Sequence, residues 1–310
     1  MEKFKIADAH CDFLAHSYEF NYDIGTLGDG QNLTLDRLKR GNVKLQYFAC
    51  WVDMKNRVSA LQQCLSMIDS FYRMLDKYSG DLVNFLEPIS TYDDRIKCVL
   101  AIEGGEAIMG LMDNLRIFYR LGVRAMTLTW NDTNELASPA MRKANVGLTS
   151  LGKNIVKEMG AINMAVDLAH LSDAGIDDVL DIAAGPIFAS HSNARAVFQH
   201  RRSLEDAHIK AISERGGVIG INFYVKQLTT ERDCSIKDIL LHIEHIVKIG
   251  GIQCAAIGSD FDGMPTYPTD LRNSGDFQNL ASAIKQIGFN DDEVEAITYG
   301  NLARFTEALR

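Results

Sequence analysis

The sequence has little proline, no long apolar run and fewer basic than acidic residues. The five prolines among 310 residues are spread out, so no proline-rich linker divides the chain. No apolar run approaches the roughly 18 residues of a membrane span, which predicts a protein without membrane segments. Lys and Arg number 32 against 41 Asp and Glu, a formal charge of −9. This deficit of positive charge argues against nucleic acid or an anionic membrane as the main partner.

Cysteine is present but forms no Cys-x-x-Cys pair. The six residues are Cys11, Cys50, Cys64, Cys98, Cys234 and Cys254. An even number permits disulfides, but the N-terminal MEKFKIADAH leads almost directly into a candidate strand and has no signal-peptide pattern. We therefore expect reduced thiols and a cytoplasmic protein.

The apolar residues are grouped in short runs, and no repeat or change of composition marks a domain boundary. We therefore expect residues 1–310 to form a single domain. Short, largely apolar runs are typical of strands that are covered on both faces. Eight such runs are Phe4–Ala9, Val43–Val52, Val99–Glu103, Arg124–Thr129, Asn163–Leu168, Pro186–Ser190, Val218–Asn222 and Ala255–Ser259.

Helical patterns lie between these runs. Ser235 is placed to cap a helix with an apolar stripe that reaches Val247. A second stripe begins at Leu151, and Gly160 is expected to end that helix. Residues 59–78 predict a longer helix. Alternating strands and helices predict parallel pairing, and eight units predict closure into an α/β fold of the (β/α)8 or TIM-barrel type. An open doubly wound sheet is the alternative, but no GxGxxG motif follows the first strand.

Side chains that bind metals or move protons stand at the carboxyl ends of five predicted strands, where barrel enzymes place their active sites. They are His10 and Asp12 after the first run, Glu103 in the third, His170 after the fifth, His191 after the sixth and Asp260 after the eighth. Converging imidazoles and carboxylates suit a borderline metal such as zinc. Five protein ligands exceed what one catalytic zinc normally takes, whereas two ions about 3.5–4 Å apart that share a carboxylate would use them all.

Each candidate ligand has a simpler interpretation when it is taken alone, because most histidines near a carboxylate are surface pairs or hydrogen-bonded core residues. The coincidence of five at strand ends favours the metal site. Asp8 and Asp167 are either orienting partners of ligand imidazoles or structural carboxylates. The remaining histidines receive no ligand role: His208, His242 and His245 fall on predicted helices, and His16 and His200 in predicted loops.

Five motifs in this order resemble the renal (membrane) dipeptidase family of zinc peptidases. They are DAHCD, AIEGGE, DLAHLS, SHSNAR and GSDFDG, and the likeness runs from Ile6 to the terminal GNLARF. The resemblance implies two zinc ions per chain. It assigns His10 and Asp12 to one ion and His170 and His191 to the other, with Glu103 as the bridge.

The resemblance also implies the residues that handle the substrate. Asp260 matches the residue near the substrate amine that transfers a proton to the leaving group. Arg202 matches the arginine that binds the C-terminal carboxylate of a dipeptide, although the adjacent Arg201 is easily confused with it. Tyr224 matches a residue that lines the substrate pocket.

Two positions depart from the family pattern. Trp130 stands where the better-known animal members carry a histidine that polarises the scissile carbonyl, and an indole N–H donates one hydrogen bond but cannot become cationic. Stabilisation of the oxyanion is then expected to depend more on zinc or on Asn131. The family's GGH is GGE here, so we expect Glu106 to place an extra carboxylate near the metals or the substrate.

The expected reaction is hydrolysis of a small dipeptide by a hydroxide that bridges the two metals, with Asp260 as general acid. The resemblance further implies tolerance of a D-residue at the C-terminal position, and homodimers are common in the family. Two alternatives remain. One is another metal hydrolase on the same barrel, such as a deaminase or lactonase, although those commonly begin with HxH rather than HxD. The other is a metal-binding homologue that has lost catalysis.

Overall fold

The computed structural model describes residues 3–28, 30–56, 58–88, 90, 93–231 and 233–310. Within these residues the strands are β1 (Ile6–Asp8), β2 (Val43–Trp51), β3 (Leu82–Asn84), β4 (Ile96–Glu103), β5 (Val123–Thr127), β6 (Ala165–Asp167), β7 (Ile187–Phe188), β8 (Ile219–Ile221) and β9 (Ala255–Ile257). The α-helices are α1 (Phe13–Phe20), α2 (Leu35–Gly41), α3 (Ala60–Lys77), α4 (Met112–Arg120), α5 (Ser150–Ala161), α6 (Asp173–Ile182), α7 (Asp206–Glu214), α8 (Val225–Leu228), α9 (Ile236–Gly250), α10 (Phe277–Gln286), α11 (Asp291–Glu295) and α12 (Asn301–Glu307).

The strands form one parallel sheet in the order β7-β6-β5-β4-β2-β1-β9-β8. A parallel bridge between Ala189 and Ile219 joins the two ends of this order, so the sheet curves into a barrel. The predicted (β/α)8 barrel is confirmed, and each of the eight predicted runs overlaps one barrel strand, although β4 begins three residues before its run and β5 one residue before. The short β3 was not predicted; it pairs with β4 beside the barrel path.

The predicted helices are present, with one error at a boundary. The side chain of Ser59 caps α3, and Ser235 forms a capping box with Asp238 at the start of α9. Gly160 does not end its helix, which continues to Ala161. An added Cβ on Gly160 would lie 3.0 Å from the backbone nitrogen of Gly185, so the small residue serves close packing of two chain segments rather than termination.

The amino-terminal end of the barrel is filled by side chains of α12 and of Leu309, which follows it. Leu302, Phe305 and Leu309 pack against the small and aromatic residues of the barrel interior. Phe305 stacks on Phe188 with ring centroids 4.9 Å apart, and the hydroxyl of Tyr47 is 2.8 Å from that of Thr306. Because this end is blocked, the pocket of the barrel opens at the carboxyl ends of the strands.

A second hydrophobic cluster packs the outer face of the barrel against the helices. All six cysteines are buried and free. Among the described residues, no helix is both long and apolar enough to cross a membrane.

Candidate metal centre and substrate pocket

The five predicted ligands meet at the carboxyl end of the barrel. All are at least 93% buried; their exposed fractions are 3% for His10, 6% for Asp12, 3% for Glu103, 7% for His170 and 0% for His191. Glu103 is the last residue of β4, and the three histidines follow β1, β6 and β7 within three residues. Parallel strands therefore deliver the donor atoms to one point, as the sequence predicted.

Glu103 lies between two groups of ligands. Its Oε1 is 2.9 Å from Nε2 of His170 and 3.4 Å from Nε2 of His191. Its Oε2 is 3.5 Å from Nε2 of His10, which in turn is 3.4 Å from Oδ2 of Asp12. Each oxygen of one carboxylate thus faces a different pair of ligands.

The charges of this cluster fit divalent metal ions. Burial opposes a charge on His10, but Glu103 and Asp12 outweigh burial and raise the pKa of His10 well above its ordinary value, so the carboxylates favour a positive charge here. Burial lowers the pKa of His170 to about 4 and that of His191 well below its usual range. Both imidazoles are therefore neutral, which metal ligation requires.

Two buried atoms without hydrogen bonds support the same conclusion. Nε2 of His10 and Oδ1 of Asp12 are buried and have no hydrogen-bond partner among the residues that the structure describes. Buried polar atoms normally have a partner. The donor atoms of His10, Glu103 and His191 lie within 4.8 Å of one another, as do those of His10, Asp12 and Asp260. Imidazoles and carboxylates in this arrangement fit zinc.

The distal nitrogens of two ligand imidazoles have protein partners. Nδ1 of His170 is 3.0 Å from Oδ1 of Asn131, and Nδ1 of His191 is 2.8 Å from Oγ of Ser190. Such partners fix ring orientation and tautomer. Asn131 also lines the substrate pocket, and its contact with His170 was not foreseen.

Asp8 and Asp167 have a structural role. Asp8 accepts hydrogen bonds from the backbone N–H and the hydroxyl of Ser259, at 2.8 and 2.6 Å. Asp167 accepts from the backbone N–H groups of Ala169 and Ser190, at 3.0 and 2.9 Å. Both carboxylates thus connect the strand ends on which the ligands stand. Of the two alternatives left open by the sequence, these contacts favour structural carboxylates.

Asp260 stands beside the ligand cluster, with Oδ1 3.9 Å from Nε2 of His10. Burial raises the pKa of Asp260 well above its ordinary value, and His10 only partly offsets this effect. Its backbone has a positive φ of 60°, uncommon for a residue with a side chain. The amide of Asn222 donates to Oδ2 of Asp260 at 2.9 Å, and Oδ1 of Asn222 accepts from the backbone N–H of Tyr224 at 2.6 Å. Asn222 therefore connects two predicted substrate residues, a role that no motif of the sequence indicates.

The structure distinguishes Arg202 from its neighbour Arg201. Arg202 is 5% exposed and lines the pocket, and its Nη2 donates to the backbone carbonyl of His191 at 3.3 Å. Burial lowers the pKa of Arg202 to about 10, and its Nε has no partner among the described residues. Arg201 is exposed and donates to the backbone carbonyl of Arg142 at 2.9 Å.

The ligand cluster lies at the base of a cavity of about 520 Å³. All five predicted substrate residues line it: Trp130, Asn131, Arg202, Tyr224 and Asp260. The sequence did not indicate several other lining residues, among them His16, Glu19, Trp51, His200, Lys226 and Met264. His16 was expected in a loop, which is wrong: it lies in α1, which begins directly after Asp12. A loop next to a strand end is hard to tell from a short helix by pattern alone.

The two departures from the family pattern have different surroundings. Trp130 lines the cavity and packs edge-to-face against Trp51, with ring centroids 5.0 Å apart. Glu106 is buried in a 3-10 turn and does not line this cavity. Its Oε2 lies over Gly104, where an added Cβ would be 2.7 Å away. The extra carboxylate is therefore next to the residue that follows Glu103 but outside the cavity lining.

Comparison with known proteins extends over the whole chain. Residues 1–310 match the model of the membrane dipeptidase family, peptidase family M19. A Homo sapiens protein called dipeptidase 3 is 28% identical over 318 residues, which cover 98% of this chain and 65% of the human protein. The chain thus spans about two thirds of the length of this relative.

Two solved structures share the fold. One, described as the dipeptidase AC and a metallopeptidase of family M19, has a TM-score of 0.90 and 26% identity, with 99% of each chain covered. The other is a metallopeptidase of Rhodobacter sphaeroides, liganded with a phosphinate mimic of the dipeptide L-Ala-D-Ala. It has a TM-score of 0.91, covers 100% of both chains and is 24% identical, so this likeness concerns the fold alone. The match of the family model from end to end, on a barrel that brings the motif residues together, shows that the chain belongs to the membrane dipeptidase family, peptidase family M19.

Proposed function

We propose that this protein is a zinc-dependent dipeptidase that hydrolyses the amide bond of small dipeptides. The observation that carries the proposal is the position of Glu103, whose two oxygens face separate ligand pairs. In this proposal His10 and Asp12 would hold one zinc ion, His170 and His191 would hold the second, and the two would share the carboxylate of Glu103. When bound, the two ions polarise a carbonyl group and lower the pKa of water so that it can attack at neutral pH.

The chain's own residues hold the two ends of the substrate. The guanidinium of Arg202 receives the C-terminal carboxylate, because an arginine fork matches a carboxylate and this one is buried in the pocket without an acidic partner within 4.0 Å among the described residues. Asp260 lies near the free amine and gives a proton to the departing nitrogen. Recognition of both ends limits the substrate to two residues. The family resemblance further supports tolerance of a D-residue at the C-terminal position.

Asn222 and Asn131 fix the geometry of this chemistry. Asn222 donates to one oxygen of Asp260, which leaves the other oxygen to carry the proton. Asn131 contacts the distal nitrogen of His170 and holds that imidazole with its other nitrogen toward Glu103. The positions of the proton donor and the ligand are thus set before substrate enters.

Three further proposals concern the whole protein. Residues 1–310 form a single catalytic domain, since one barrel and its helices account for the described chain. The protein works in the cytoplasm, since its six cysteines are free. It forms a homodimer, as the family resemblance suggests; size-exclusion chromatography with light scattering tests this last point.

The test combines metal analysis with an activity panel. Protein purified without chelator is analysed for metals and assayed on L-Ala-L-Ala, L-Ala-D-Ala and a tripeptide, before chelation, after it and after zinc is restored. We expect about two zinc ions per chain, turnover of dipeptides only, and loss and recovery of activity with the metal. Activity that chelation leaves unchanged would refute the zinc mechanism. Two metals without turnover would indicate another amide or ester substrate.

A further inference from the structure

We propose that Trp51 and Trp130, together called the tryptophan wall, form a subsite for a large apolar side chain of the substrate, aromatic or branched aliphatic. This inference rests on the proposed dipeptidase function and names the class of dipeptide that the enzyme prefers. It assigns to Trp51 a role in specificity that the sequence motifs did not indicate.

The tryptophan wall stands directly beside the metal ligands. Trp51 is the last residue of β2 and pairs in register with Glu103 at the end of β4. Trp130 follows β5, and its ring centroid is 6.2 Å from that of His170. The two indoles contact each other at an interplanar angle of 68°. A substrate whose scissile bond reaches the centre between Glu103 and His170 therefore has this aromatic surface next to it.

The cavity has room for more than a dipeptide backbone. Its volume of about 520 Å³ falls within the range of pockets that enclose drug-sized ligands. Ala15, Met141 and Met264 add apolar lining to the two indoles. Since a side chain placed there removes apolar surface from water on both partners, large apolar side chains gain the most from binding.

Charged residues at the pocket are the competing explanation for specificity. Glu19 and Lys226 also line the cavity, but both belong to helices beyond the strand ends and have opposite charges. Together they therefore give no preference for a substrate side chain of either charge. The aromatic pair, in contrast, presents one continuous surface of a single chemical character beside the reacting bond.

A substrate panel tests the inference in the zinc-loaded protein. Ala-Ala is compared with Ala-Phe, Ala-Leu, Phe-Ala and Leu-Ala, so that each position is varied separately. We expect kcat/KM for the best Phe or Leu dipeptide to exceed that for Ala-Ala by roughly tenfold or more. Trp130→Ala should reduce this ratio to less than about threefold, whereas Trp130→Phe and Trp51→Phe, which keep an aromatic ring, should preserve most of it. Tyr18→Ala, which removes an exposed aromatic ring outside the cavity, is the matched control and should leave the ratio unchanged.

Tryptophan emission gives a second readout that does not depend on turnover. The chain contains two tryptophans, and both belong to the wall, so all intrinsic indole emission comes from the pocket. In the zinc-loaded Asp260→Asn variant, Ala-Phe should change this emission at roughly tenfold lower concentration than Ala-Ala. A wild-type ratio near one, or a ratio that survives Trp130→Ala, would overturn the inference while leaving the dipeptidase intact. No turnover of any dipeptide, together with tighter binding of Ala-Phe in the emission assay, would instead refute the proposed function and keep the subsite.

Discussion

Replacement of Arg202 by methionine should separate substrate recognition from stability. Arg202 is buried, and the one described hydrogen bond of its side chain is to the backbone carbonyl of His191. Burial lowers the pKa of Arg202 to about 10, which corresponds to a cost of about 3 kcal/mol for a charged guanidinium at this place. The substitution also loses the hydrogen bond and some packing, which offsets about 1 kcal/mol of this gain. Arg202→Met should therefore raise the free energy of unfolding by about 2 kcal/mol.

The same change should remove recognition of the C-terminal carboxylate. Two charge-assisted hydrogen bonds from one guanidinium contribute about 3 kcal/mol or more, which is a loss of at least about 100-fold in kcat/KM. The assay compares a dipeptide with its C-terminal amide. Wild-type protein should prefer the free carboxylate strongly, whereas Arg202→Met should treat the two substrates nearly alike. Urea unfolding followed by circular dichroism measures the change in stability.

Arg201→Met is the matched control, since Arg201 is adjacent in sequence, exposed and absent from the cavity lining. This variant should stay within about 0.5 kcal/mol of wild-type stability and keep the preference for the carboxylate. The reasoning would be refuted if Arg202→Met still preferred the carboxylate, or if Arg201→Met lost that preference. A fall in stability of Arg202→Met would show that its charge is compensated in a way that the described contacts do not reveal.

Three further variants test the metal centre, a buried histidine and the barrel. Glu103→Gln should lower zinc content below two per chain and reduce kcat at least about 1,000-fold, as measured by metal analysis and steady-state kinetics; full zinc and full activity would contradict the bridge. Burial lowers the pKa of His242 to about 4. Between pH 6.5 and pH 4 this imidazole is therefore protonated in the unfolded chain but neutral in the folded protein, so stability falls as the pH falls through this window. The total loss in the free energy of unfolding is about 3 kcal/mol. In urea titrations, metal-free His242→Asn should therefore show a free energy of unfolding that changes less with pH than that of the metal-free wild type. An equal pH dependence in the two proteins would contradict this. Gly258→Ala places a Cβ 1.9 Å from the carbonyl oxygen of Ser190 and should cost at least about 2 kcal/mol, whereas Gly80→Ala, with nothing within 4 Å, should be nearly neutral; equal melting temperatures would contradict the close approach.

The barrel and the ligand cluster could be predicted because their signals are local. A buried strand is an apolar run, and the residue that follows it faces the same end of the barrel as every other such residue. His10, Glu103 and His191 could therefore be grouped although they are far apart in sequence. The fold then placed them within hydrogen-bonding or metal-binding distance.

The cavity walls could not be predicted, because they are formed by residues from several loops and helices. Whether Trp51 faces the pocket depends on the register of β2 against β4, and nothing in the sequence of β2 states that register. Whether Asn222 contacts Asp260 depends on the relative height of two strand ends. Gly160 shows the same limit, because a glycine near a predicted helix end does not end the helix but allows close packing against Gly185.

The plug formed by α12 has a consequence for the order of folding. Leu302, Phe305 and Leu309 complete the interior of the barrel, and β9 pairs with β1, so the earliest strand has an open edge until residue 257 has been made. A chain leaving the ribosome can form helices and neighbouring strand pairs, but it cannot close the barrel or fill its centre until β9 and α12 have been made. The predicted ligands at the ends of β1, β4, β6 and β7 therefore reach their final spacing only after β9 and α12 have been made, so the candidate metal site forms late in folding.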